Sequence, residues 1–202
     1  MISALEAEGL RLERGGRRLF DDLSFRLAPG EAIALTGPNG AGKTSLLRCL
    51  AGLLRPAAGA VRWRLPAGVA APAGLFHWQG WQDGLKGAHT VDGELGFWAR
   101  WAGAGAGDVN TAAHAFGLAA LMDVDIRRLS AGQRRRAALA RLYAPQRPVW
   151  LLDEPFAPLD AAWRERFGVL MARHLEGGGV VVAAVHDPLP VPARELRLGA
   201  AA

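Results

Sequence analysis

Hydrophobic and polar residues alternate from Ala4 to Leu12, and again through Leu23, Phe25 and Leu27, on either side of a Gly15-Gly16 turn. Period-two alternation turns one face of a strand toward a core, so this stretch predicts an antiparallel strand pair, closed by Pro29 and Gly30. Ala32 to Thr36 is a short apolar run leading into a glycine-rich loop, and Thr44 to Leu50 has the composition of a helix ended by Gly52. Alternation returns at Val61, Trp63 and Leu65; a loop is predicted over Pro66 to Gly74, and a further short strand over Leu75 to Trp78.

Thr90 predicts the N-cap of a helix to about Trp101. Gly103 to Gly107 breaks it, Thr111 to Leu121 reads as a second helix, and Ser130 caps a third to about Tyr143, before Pro145 and Pro148. The remainder alternates strand and helix: Val149 to Leu152 apolar, Asp160 to Leu175 helical, a Gly177 to Gly179 turn, and Val180 to Val185 apolar. Solid apolar strands joined by helices imply an α/β class with a parallel sheet covered on both faces. The segment from about 76 to 144 is mostly helical and interrupts that core, so residues 1–202 are expected to form one domain with an inserted helical lobe.

Composition narrows the classes. Half of the 202 residues are hydrophobic, which excludes a disordered or collagen-like chain and is enough for a sizeable core. The net charge of +5 would suit any phosphate-bearing partner. Only Lys43 and Lys86 among the basic residues are lysines, so the chain favours arginine and a retained lysine carries information. The single cysteine, Cys49, excludes a disulfide framework and a C-x-x-C metal pair. Charged residues from Glu6 to Arg14 interrupt any signal-like run, and the six apolar residues from Val180 to Val185 are far short of the roughly 18 that a spanning helix needs, so an intracellular chain with no direct membrane insertion is expected.

Gly37, Pro38, Asn39, Gly40, Ala41, Gly42, Lys43 and Thr44 match G-x-x-x-x-G-K-[ST], followed by Ser45, between a predicted strand and a predicted helix. Glycines let backbone N–H groups ring a phosphate chain at a helix N-terminus, a lysine reaches the β- and γ-phosphates, and the threonine hydroxyl is placed to ligate Mg²⁺. The motif predicts a P-loop core that binds ATP. Pro148 to Glu154 reads as a buried strand ending in two acids; Asp153 would hold Mg²⁺, and Glu154 would orient or deprotonate water.

Leu129, Ser130, Ala131, Gly132 and Gln133 resemble the LSGGQ signature of ATP-binding cassette (ABC) ATPases, with alanine for one glycine. Ser130 follows Lys43 by 87 residues and precedes Asp153 by 23, an order and spacing similar to a compact cassette ATPase. That resemblance, which covers about residues 4 to 190, implies an N-terminal antiparallel β subdomain, a P-loop core and an inserted helical subdomain. It also implies a head-to-tail homodimer of ATPase subunits, each ATP held by one P-loop and by Ser130, Gly132 and Gln133 of the other copy. Ala157 to Asp160 resembles the D-loop and would put Asp160 at the seam, while His186 resembles the switch histidine on the γ-phosphate. Two glutamines, Gln79 and Gln82, fit the Q-loop; Gln82 aligns better with Gly84-Leu85-Lys86 and Thr90-Val91, and would touch Mg²⁺ and the attacking water. Where the family has an adenine-stacking aromatic, this chain has Arg14, whose guanidinium plane offers a substitute.

Trp78, Trp81, Trp98 and Trp101 cluster around the lobe, either as ordinary packing or as a groove for a partner's helix. The P-loop region through Leu54, the segment Gln82 to Trp98 and Leu151 to Asp160 together resemble the ATP-binding subunits of the haem exporter of bacterial cytochrome c maturation. Glu94 is followed by Leu95 where that group usually has Asn. The resemblance implies a peripheral subunit on the cytoplasmic face of the bacterial inner membrane, beneath membrane-spanning Ccm-type permease subunits. A subunit for another cargo and a soluble cassette ATPase of metal-cluster assembly are the alternatives. A nucleic-acid partner is not expected, because DNA-repair cassettes place a long coiled coil between P-loop and signature.

Overall fold

The computed structural model describes residues 2–65 and 74–199, so the loop expected over Pro66 to Gly74 lies, except for Gly74, outside the described residues. The N-terminal hairpin is β1 (Ala4–Arg14) and β2 (Arg17–Leu27), paired antiparallel across the Gly15-Gly16 turn. Both turn glycines have positive φ, 58° and 73°, the conformation that a tight hairpin needs. β3 (Ala32–Thr36) precedes helix α1 (Lys43–Leu50), and β4 (Ala58–Arg64) returns to pair antiparallel with β1, giving the three-stranded order β2-β1-β4.

β5 (Phe76–Gln79) leads into α2 (Val91–Trp101), α3 (Ala106–Ala115) and α4 (Ala131–Ala140). Then β6 (Val149–Asp153), α5 (Ala161–Glu176), β7 (Val180–Ala184) and β8 (Arg194–Arg197) complete the order. A five-stranded parallel sheet runs β5-β6-β7-β3-β8. β5 belongs to this sheet through β6, so the helical interruption begins after Gln79.

Because side chains alternate along a strand, the parallel sheet feeds two cores. Ile33, Leu35, Leu151 and Val182 join Leu46, Leu47 and Leu50 of α1 and the inner face of the antiparallel sheet. Ala34, Leu152 and Ala183 meet α5 and the helices of the lobe. Each leucine-sized side chain removed from water there contributes about 1.5–3 kcal/mol, which offsets the conformational entropy of ordering the strands.

Three helix boundaries differ from expectation. The second lobe helix starts at Ala106 rather than Thr111, because the Asp108 carboxylate accepts from Gly105 N at 2.9 Å and caps it. It ends at Ala115, where Gly117 at φ 60° lets Leu118 N donate to Ala113 O and Gly117 N donate to His114 O. The third stops at Ala140, since Leu142 and Tyr143 donate to carbonyls only three residues back. β8 went unforeseen, its Arg-Glu-Leu-Arg sequence being short and mostly exposed at a sheet edge.

Candidate functional site

The C-terminal ends of three adjacent parallel strands, β6, β7 and β3, bring the chemistry-bearing loops together, as open α/β sheets do. From β3 the chain enters the loop Gly37 to Gly42. Gly37 has φ 123°, and a Cβ there would stand 2.2 Å from Leu198 O, so this position requires glycine. Gly42, at φ 102°, precedes α1 without a side-chain cap and leaves the first N–H groups of that helix for an anion.

Lys43 is buried, and its Nζ donates to Gly37 O at 2.7 Å and to Pro38 O at 3.4 Å, so the ammonium lies folded against the loop that it would share with phosphates. Thr44 Oγ1 donates to Asp153 Oδ2 at 2.8 Å, joining the helix start to the end of β6. Next in sequence, Glu154 takes a left-handed backbone conformation, φ 51°, and its Oε1 lies 3.2 Å from His186 Nε2. Burial pushes the Asp153 carboxyl up, against the pull of Thr44 and nearby cations, and it pushes the Glu154 carboxyl up against the pull of His186 and Lys43.

These groups line one open cleft of about 480 Å³, with Arg14, Arg17, Leu19, Pro38, Asn39, Gly40, Gly42, Ser45 and Trp81. The cleft thus gathers Arg14, the P-loop, the two acids and His186. Phe20 packs into the core beside it. A hydroxyl and a carboxylate in contact beside a phosphate-binding loop suit Mg²⁺, which prefers one or two protein oxygens completed by phosphates and water.

Other expected residues stand elsewhere. Gln82 is exposed and lines a neighbouring cavity with Arg48, Trp78 and Arg141, not the cleft. Gln79 is buried at the end of β5; its Nε2 donates to Gly80 O at 3.0 Å, and its Oε1 accepts from Arg141 at 3.1 Å. Ser130 and Gln133 form a reciprocal cap at the start of α4, Gln133 N donating to Ser130 Oγ and Ser130 N to Gln133 Oε1, on the exposed surface. Asp160 caps α5 by accepting from Trp163 N at 2.8 Å. A Cβ on Gly132 would sit 3.8 Å from Pro158 O, so the turn at Ser130 to Gln133 and the segment Ala157 to Asp160 are neighbours.

Trp98 is held by Nε1 donating to Glu94 at 2.9 Å, whereas Trp101 is 68% exposed; both line a cavity of about 250 Å³ with His77 and Trp78. The tryptophan cluster therefore both packs α2 and opens a groove. Sequence reasoning missed Trp81, Arg17 and Leu19 in the cleft, and Arg135 behind it. For Arg135 the signal was present: it falls on the stripe with Leu139 and Leu142, the buried side of the helix.

The profile of the ABC transporter family matches residues 20–157. The cytochrome c biogenesis ATP-binding export protein CcmA of Rhodopseudomonas palustris (strain BisB5) is 50% identical over 198 residues, covering 98% of this chain and 99% of that protein. The protein of the same name from Rhizobium meliloti (strain 1021) is 49% identical over 191 residues, covering 92% of each. Among solved structures, an ABC transporter ATP-binding protein from Pyrococcus furiosus superposes with a TM-score of 0.84 at 21% identity, over 97% of this chain and 98% of that one, which establishes the shared fold.

Proposed function

Since the chain belongs to the ABC transporter family, in its CcmA branch, and is an ATP-binding, ATP-hydrolysing subunit coupled to transport, we propose that it powers an export step of cytochrome c biogenesis, moving haem or releasing a haem-loaded chaperone. The observation that carries the reading is the meeting of Lys43, Thr44, Asp153, Glu154 and His186 in one cleft, in a chain half identical to CcmA over nearly its whole length.

ATP would lay its phosphates along Gly37 to Gly42 at the start of α1, where Lys43 exchanges its carbonyl contacts for β- and γ-phosphate oxygens. Thr44 and Asp153 would hold Mg²⁺, which when bound neutralises phosphate charge and acts as a Lewis acid. Glu154 orients and deprotonates the attacking water; burial, by raising its carboxyl, makes it a better base than an exposed glutamate. His186, beside Glu154, would face the γ-phosphate. Arg14 and Leu19 line the cleft, and the Arg14 guanidinium would stack on the base in place of an aromatic ring. Gln82 lines the neighbouring cavity and not this cleft.

Ser130 and Gly132, at the exposed start of α4, would complete the cleft of a second copy, with Asp160 at the seam. Closure on two ATP and reopening after hydrolysis would be felt by membrane-spanning permease subunits, with this chain peripheral on the cytoplasmic face of the inner membrane. Among the described residues no helix is long and apolar enough to cross a membrane.

The test is to tag the Glu154→Gln variant, hold it with ATP and Mg²⁺, extract membranes in mild detergent and identify what co-purifies. Turnover about 10²- to 10⁴-fold below wild type, with ATP still bound and small multi-spanning subunits plus a haem chaperone recovered, is the expected result. Near-normal turnover removes Glu154 from the chemistry, and a different permease redirects the cargo.

A further inference from the structure

Arg135 lies on the second turn of α4 with 1% of its surface exposed, and its side-chain hydrogen bonds among the described residues all go to other segments. Its Nη2 donates to Asp153 O at 3.1 Å and to Glu154 O, while its Nε donates to Pro155 O at 3.1 Å. Three consecutive carbonyls of the turn after β6 are therefore held by one planar fork. Its Nη1 donates in the opposite direction, to Gly80 O at 3.2 Å and Asp83 Oδ1 at 3.0 Å, in the loop that leaves β5.

The middle residue of the held turn is Glu154, whose φ of 51° is unfavourable for any residue with a Cβ and persists only where the surroundings impose it. Glu154 N donates to Ala184 O on β7, which fixes one side of the turn, and Arg135 fixes the other. A lysine could not reproduce this arrangement, because an ammonium has no rigid fork to span five acceptors at once. The guanidinium also joins three parts of the molecule with no sequence continuity: the helix capped by Ser130, the turn bearing the two acids, and the loop carrying Gln82.

We propose that Arg135 is the positioning residue for the Glu154 carboxylate: by clamping the carbonyls of Asp153, Glu154 and Pro155 to α4 and to the loop Gly80 to Asp83, it makes the aim of Glu154 depend on where the helical lobe sits. This deepens the reading of Glu154 as the water-activating group and rests on it. A displacement of α4 or of the Gly80 to Asp83 loop is transmitted to the turn through the same guanidinium, without passing through the nucleotide.

The test compares steady-state hydrolysis and fluorescent-ATP affinity in wild type, Arg135→Lys, Arg135→Gln, Glu154→Gln and the Arg135→Lys/Glu154→Gln double variant. Arg135→Lys, which keeps the charge, is expected to lower kcat about tenfold or more while ATP affinity changes less than about threefold, and the double variant is expected to be no slower than Glu154→Gln alone. Asp83→Asn leaves the clamp on the turn and loosens only the tie to the loop; it is expected to lower kcat about threefold at unchanged affinity, and it keeps the proposal testable if the Arg135 variants fail to fold. Wild-type kcat in Arg135→Lys or in Asp83→Asn, or losses that multiply in the double variant, overturns the proposal. Wild-type turnover in Glu154→Gln overturns instead the reading on which it rests.

Discussion

Trp150, near the start of β6, lies in the core between two rings, the His174 imidazole stacked at 4.0 Å and the Phe167 ring nearly parallel at 6.1 Å. Its Nε1 is a buried donor without an acceptor among the described residues, and such a group costs about 1–3 kcal/mol. Trp150→Phe keeps an aromatic plane and removes that donor, so its stability is expected within about 1 kcal/mol of wild type, whereas Trp150→Ala opens a cavity and loses about 3–5 kcal/mol. Denaturant unfolding distinguishes them; equal losses would show that indole volume, not stacking, holds the site.

At the scale of elements, glycine positions separate helix stops from helix interiors. Gly117 closes α3 at φ 60°, and a Cβ there would stand 2.7 Å from the Trp163 ring, so Gly117→Ala is expected to lose about 2 kcal/mol or more. Gly107, inside α3, has open space at the same point, and Gly107→Ala should gain about 0.5–1 kcal/mol. Thermal unfolding of the two variants checks the signs, and a stabilised Gly117→Ala contradicts this account of the boundary.

The same elements show what was legible in the sequence. Contiguous motifs were readable: the loop Gly37 to Thr44, the strand ending in Asp153 and Glu154, the caps Thr90 and Ser130, and the α/β order around them. Contacts between distant segments were not. Asp108 capping Gly105 outweighs the glycine-rich look of that stretch, β8 is fixed by its pairing with β3, and the buried stripe that holds Arg135 does not name its partners, which come from the β6 turn and the Gly80 to Asp83 loop. Local alignment favours Gln82, and nothing local reveals that Gln79 is the glutamine held between Arg141 and Gly80.

Across the whole molecule, two histidines tie stability to pH. Burial pushes His77 and His174 down to about 4 from 6.5, while His77 Nε2 lies 2.7 Å from Pro145 O. Between those values the unfolded chain binds protons that the native chain refuses, so stability is complete above about pH 6.5 and falls as pH drops. Each histidine removes about 2 kcal/mol by pH 5. The raised carboxyls of Asp153 and Glu154 act in the opposite sense at the acid end and soften the fall. Denaturant midpoints should decline from pH 7 to pH 5 and decline less in His77→Gln; an unchanged slope in that variant would remove His77 from the account.

The central claim is that the Lys43 cleft of one copy hydrolyses ATP together with the Ser130 turn of another. Mixing Lys43→Ala with Ser130→Arg subunits, each inactive alone, tests it most directly, because a mixed dimer contains one cleft in which both halves are intact. Random pairing of equal amounts predicts recovery of about one quarter of wild-type turnover per subunit. Turnover that stays at the average of the two separate variants would mean that no site is shared, and would contradict the account.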